Sequence, residues 1–180
     1  MAAAVVFDGA QIPAGLDDSK RLSPEDREAL FPAIMASAHA VSVASVAAQG
    51  VDRINILRAS LEAMRRAVCG LAVRPALVLV DGRDLPPGLA CPGEALIKGD
   101  QRSQSIAAAS IVAKVVRDRM MEGCGRRHQQ FGFESHMGYA TVRHRRAIEV
   151  HGAVHRIHRL SFAPFRTDAP GEIDIEALIA

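Results

Sequence analysis

Cysteine is scarce, with Cys69, Cys91 and Cys124 an odd number at spacings of 22 and 33 residues. That excludes a disulfide framework and matches no zinc-ligand pattern, so the three read as reduced thiols. Lysine is equally scarce, occurring only at Lys20, Lys98 and Lys114 among 22 Lys and Arg, and tyrosine occurs once, at Tyr139. No apolar run nears the roughly 20 residues that span a bilayer, and stretches such as 76–80 and 106–109 fall far short of it, so a membrane partner is not expected. The start lacks a basic lead and meets Asp8 after six apolar residues. It does not read as a secretory signal, and the expected compartment is the cytoplasm. Repeats and low-complexity linkers are absent. So is any glycine-rich phosphate loop, which weighs against an α/β enzyme acting on a small phosphorylated molecule.

The chain has 49% hydrophobic and 23% charged residues, enough apolar material for a packed interior and too little charge for disorder. One domain over 1–166 is expected, followed by a tail from 167 to 180 with four acids and no bases. The net charge of +2 is uneven. Lys114 to Arg166 holds eleven basic residues against four acids, a balance of +7, and the remainder holds eleven against sixteen, or −5. A basic block suits a polyanion, although charge alone is equally well met by a solvated helix face.

Strand and helix signals interleave, so the class is α/β. A first strand is expected at 2–7. Ser23 as N-cap, Pro24 behind it and acids Glu25 and Asp26 predict a helix over 23–38. Alternation predicts a strand over 41–46, and Ile54, Leu57, Leu61, Met64 and Val68 mark the inner stripe of a helix over 51–69. Residues 76–80 read as a strand buried on both faces, 95–98 as a short strand, 103–122 as a long helix and 141–150 as another.

Asp81 closes the buried strand, where open α/β sheets place ligands, and either caps the next turn or meets a cation. Asp118 shares a side of the long helix with Ile111, Val115 and Met121. It is therefore either inward and partnered or at the edge of the stripe, with Lys114 four residues earlier as the modest structural partner. Six of the seven histidines fall between His128 and His158. With no cysteine at a matching spacing they do not suggest zinc, and His158 is expected to pack the C-terminal segment.

Seven blocks then set these acids in a common context: LDDSKRLS (16–23), NIL (55–57), LVDG (79–82), IKGD (97–100), SIAAASIVAKVVRDRM (105–120), HMGYAT (136–141) and HRLSF (158–162). Together they resemble ribonuclease HII, the type 2 ribonuclease H, from Ala3 to about Phe165. The resemblance implies an RNase H-like mixed sheet flanked by helices and a C-terminal helical segment. It implies an endonuclease that cleaves the RNA strand of RNA/DNA hybrids and incises 5′ of single ribonucleotides in duplex DNA, leaving 5′-phosphomonoesters. Two Mn²⁺ or Mg²⁺ ions would do the chemistry, held by oxygen ligands. By resemblance, Asp81 and Asp118 are the catalytic metal ligands. Tyr139 packs on the sugar at the RNA-to-DNA junction, and Lys20, Lys98 and Ser110 lie near the scissile phosphate. A monomer is expected.

The family's opening strand and its Asp-Glu-x-Gly-Arg-Gly segment are absent from these 180 residues. The resemblance thus implies a chain N-terminally truncated relative to the family. It would lack the central strand and two of four metal carboxylates, and be inactive as written. Asp8, Asp17 and Asp18 fall in other blocks and do not replace them. Without the central strand, residues 3–7 and 77–81 would face a gap. Met137 and Ala140 stand where the family has lysine and glycine. The alternative function is a non-catalytic nucleic-acid-binding remnant of the same fold.

Overall fold

The computed structural model describes residues 1–9 and 11–165; the expected acidic tail lies outside them. The chain divides into two compact units, one from Met1–Val46 and Leu57–Arg117, the other from Ala47–Ile56 and the chain from Asp118 onward.

The first unit opens on β1 (Ala2–Val6), followed by α1 (Pro24–Ser37) and β2 (Ala40–Ala44). The α1 start is as expected: the Ser23 hydroxyl accepts from Asp26 N at 3.0 Å, satisfying an amide that the helix leaves without a carbonyl. β2 returns antiparallel beside β1, pairing Ala2 with Ala44 and Val6 with Ala40. β3 (Val78–Asp81) and β4 (Gly93–Leu96) pair in parallel, Asp81 opposite Leu96. Val5, Ile34, Ala108, Ile111, Val112 and Val115 form the main core.

The α/β class stands, with the ladders arranged as two separate pairs instead of one continuous sheet. β1 pairs with β2 and β3 with β4, and neither β1 nor β3 has a second strand partner among the described residues. Both line one cavity of about 480 Å³, walled by Ala3, Val5, Leu77 and Leu79, with Asp81 and Ser110 also on its surface. Among the described residues no further strand joins the two edges.

Two expectations need correction. α2 (Ala48–Cys69) is broken at Asn55, where φ is 65° and ψ 168°. That backbone region is almost confined to glycine, and a residue held there stores on the order of 1–3 kcal/mol. The residues from Leu57 on belong to the first unit, and their inner stripe is alanine: Ala59, Ala63 and Ala67 are buried, whereas Ile54 and Leu57 are exposed. Small side chains let that helix approach β1, and Ala63 and Ala67 pack with Ala2. β4 ends at Leu96, two residues before the expected end. This leaves Lys98 outside the strand, in a left-handed conformation that leads a 3₁₀ turn over Gly99–Gln101.

The long helix α3 (Gln104–Arg127) runs five residues past its expected end, and its residues from Asp118 belong to the second unit. That unit adds α4 (Phe133–His136) and α5 (Val142–His151), the latter capped by the Thr141 hydroxyl. Its core is Met121, Phe131, Phe133, Ile148 and Phe165, with the two phenylalanine rings stacked at 5.4 Å. The Asp52 carboxylate accepts from Leu160 N and Ser161 N at 2.9 and 3.0 Å and ties the HRLSF segment to the short helical stretch before the kink.

Candidate active site

Because β3 and β4 are parallel, their carboxyl ends lie side by side, and acids just after each strand come together. Asp81 ends β3, and its Oδ1 accepts from Gly99 N at 2.9 Å. That bond needs close approach: a Cβ on Gly99 would stand 2.6 Å from Ile106 Cδ1 and 3.4 Å from Asp81 Cα. Asp100 follows directly. Burial holds its carboxyl above the usual carboxylate range, the neighbouring charges of Asp81 and Asp18 push it the same way, and Lys20 opposes them.

Asp18 enters on the turn before α1. It is buried, and its Oδ1 accepts from Lys20 N at 2.9 Å. That bond, outweighing a burial cost, holds its carboxyl below the usual range, with Lys20, Gln101 and Asp100 acting in the same direction. Arg27, itself buried, clamps this turn by donating to Ser19 O and Leu22 O at 2.8 and 2.6 Å. The Ser110 hydroxyl on α3 donates to Ala107 O at 2.8 Å and accepts from Ser19 N at 3.4 Å, bracketing the turn to the helix.

The first unit therefore gathers Asp81, Asp100, Asp18, Lys20 and Ser110, and places Lys98 beside them in sequence with an exposed side chain. Asp118, half-buried, stands eight residues after Ser110 on α3 and belongs to the second unit. Tyr139 also belongs to that unit, on the turn after α4; at 60% exposure it is not a core tyrosine. The residue that sequence reasoning missed is Asp100. Its signal was present in the IKGD block, an acid closing the turn after a short strand.

The charge balance suits a hard divalent cation, since crowded carboxylates are relieved by one and oxygen donors are what it prefers. The set is partial: among the described residues no three His, Cys, Asp or Glu side chains are grouped to hold a metal ion. Also among these residues, no helix is long and apolar enough to cross a membrane.

A family model described as Ribonuclease HII matches residues 1–165. The chain belongs to the ribonuclease HII family. It is 68% identical over 178 residues to the ribonuclease HII of Mesorhizobium japonicum, covering 99% of this chain and 77% of that protein. The crystal structure of ribonuclease H2 from Pyrococcus horikoshii superposes with a TM-score of 0.70 at 26% identity, over 84% of this chain and 78% of that one. Ribonuclease HII in a complex with PCNA from Archaeoglobus fulgidus gives a TM-score of 0.57 at 28% identity, over 76% and 71%. Membership of ribonuclease HII makes the chain a hydrolase of RNA and an endonuclease by family, of a kind that depends on divalent metal.

Proposed function

We propose that this chain, once completed by the family's opening strand, cleaves the RNA strand of RNA/DNA hybrids and incises 5′ of single ribonucleotides embedded in duplex DNA, as a cytoplasmic monomer using Mn²⁺ or Mg²⁺. The carrying observation is the meeting of Asp81 and Asp100 at the carboxyl ends of two parallel strands, with Lys20 beside them. These two acids would hold the cation, and Asp118 is a further ligand by family likeness. When bound, the metal supplies an activated water and a counter-charge for the leaving oxygen. Lys20 and Lys98 act as point charges toward the scissile phosphate, and Ser110 holds the turn that carries Lys20. Tyr139 offers its ring to the sugar at the RNA-to-DNA junction, where the 2′-hydroxyl marks RNA.

Full activity on this reading needs a strand bearing Asp-Glu-x-Gly-Arg-Gly, seated in the cavity that β1 and β3 line, to complete the ligand set. The test is a labelled duplex with one ribonucleotide, given Mn²⁺ and a form of the chain extended by that strand. A single cut 5′ of the ribonucleotide, ending in a 5′-phosphate and sparing all-DNA duplex, is expected, while the 180-residue chain cuts barely or not at all. The partial ligand set favours one second reading, a nucleic-acid-binding remnant, and binding without cutting by both forms would establish it.

Cation binding is separately measurable by thermal unfolding. At Mn²⁺ tenfold above its Kd, stabilisation of about 1.4 kcal/mol corresponds to a rise of about 3–6 °C. Asp81→Asn and Asp100→Asn are expected to abolish the rise. Without metal, Asp100→Asn is expected to melt above wild type, because it removes a carboxylate crowded by two others.

A further inference from the structure

The histidines of the second unit do something their place in a basic segment does not suggest. His136, His144 and His158 are buried at 8%, 5% and 8% exposure. They pack edge-on or tilted against Phe131 and Phe133, with the His136 and His144 rings stacked at 4.4 Å. Their partners fix where each proton sits. Val154 N donates to His158 Nδ1 at 2.8 Å, so that ring carries its proton on Nε2. His158 Nε2 then donates to His144 Nε2 at 3.2 Å, which leaves His144 its proton on Nδ1, donated to Tyr139 O at 3.0 Å. His136 likewise accepts from Gly138 N on Nδ1 at 3.2 Å and donates from Nε2 to Phe131 O at 2.9 Å.

Two of these bonds end on one turn, at Gly138 N and at Tyr139 O. Met137 and Gly138 are left-handed, at φ 48° and 76°, a conformation a methionine adopts only under constraint. Tyr139 N donates to His136 O at 2.8 Å. We infer that His136, His144 and His158 form a neutral imidazole relay that fixes the Met137–Tyr139 turn and thereby positions the Tyr139 ring on the ribonucleotide. They are positioning residues, and the inference rests on the reading that Tyr139 meets the substrate. A proton on either ring of the His144–His158 pair would set two N–H groups against each other and break the relay. His136 and His128 are the other titratable groups whose charges bear on the pair, and both disfavour a proton there.

Long-range ¹H–¹⁵N NMR of the full chain at neutral pH tests the relay itself. The expected protons are on Nδ1 of His144 and on Nε2 of His136 and His158; a charged ring or the other tautomer at His144 or His158 overturns it. Binding tests the positioning role, as the affinity for a one-ribonucleotide duplex relative to an all-DNA duplex. Tyr139→Ala is expected to reduce this preference about tenfold, the size of losing one aromatic contact. His144→Leu is expected to match it with all-DNA affinity unchanged, and His144→Asn, whose amide can still donate to Tyr139 O, to keep the preference. If Tyr139→Ala changes nothing, the reading of Tyr139 fails, whatever the histidines do. If Tyr139→Ala loses the preference and folded His144→Leu keeps it, the positioning role fails and Tyr139 stands. Should His144→Leu not fold, His158→Met removes the donor to His144, and an unchanged preference there overturns the proposal.

Discussion

In a form of the chain extended by a strand bearing Asp-Glu-x-Gly-Arg-Gly, Asp81→Asn and Asp100→Asn are each expected to slow incision at a single ribonucleotide by about 10³-fold. Duplex affinity should stay within severalfold. The size follows from what the acids hold. Loss of a group that merely orients a metal ligand lowers activity by roughly 10–100-fold, so loss of a ligand should exceed that. Binding is spared because the basic residues of the second unit and the exposed Lys20 and Lys98 remain, and phosphate contacts dominate affinity. Asparagine keeps the shape of each side chain and its carbonyl oxygen, so Gly99 N keeps an acceptor in Asp81→Asn. Rates measured at saturating duplex and Mn²⁺ decide the matter. A loss under tenfold for Asp100→Asn would remove it from the site. Asp118→Asn is the third arm: a loss as deep as that of Asp81→Asn would place the helix acid among the ligands, and a rate near wild type would leave Asp81 and Asp100 as the pair.

Why Asp100 escaped sequence reasoning while Asp81 did not is a matter of range. The apolar run before Asp81 is local, and a carboxylate at its end stands out from neighbours alone. Asp100 follows a strand of four residues whose importance comes from lying parallel to β3, a pairing between chain segments fifteen residues apart in register. The same limit explains α2. Periodicity pointed to Ile54, Leu57 and Val68 because large apolar residues dominate such a pattern, but close approach to β1 selected the alanines. The break at Asn55 had no local signal, since asparagine occurs in ordinary helices. The cap of α1 was legible because Ser23 acts on an amide three residues away. Of the histidines, only the packing role of His158 was legible, and its ring is buried against Phe165. Their burial depends on Phe131 and Phe133, and their tautomers on carbonyls and amides that only the folded chain brings near.

That burial has a consequence for stability. Acidification from pH 7 to pH 4 is expected to destabilise the wild-type chain by on the order of 3 kcal/mol through His158 alone, seen as a fall in melting temperature of roughly 5–10 °C. Burial, with the charges of His144 and His128 adding to it, pushes His158 down to about 4 from its ordinary 6.5. The folded chain therefore refuses a proton that the unfolded chain accepts. Stability is complete above pH 6.5 and is lost progressively as the pH falls toward 4. His144, lowered chiefly by burial, works in the same direction. Asp18 does not compete in this window, because a depressed carboxyl loses its contribution only below its unfolded value near 3.8. Asp100 opposes the trend, since a raised carboxyl takes up a proton earlier in the folded chain and gains on acidification. The comparison that isolates the histidine is therefore wild type against His158→Gln across the same range. Glutamine cannot take up a proton and its amide can still donate to His144, so the variant should melt with a visibly shallower pH dependence between 6.5 and 4. Parallel curves for the two proteins would mean that His158 titrates as freely in the folded chain as in the unfolded one, and that its ring is not held neutral among the phenylalanines.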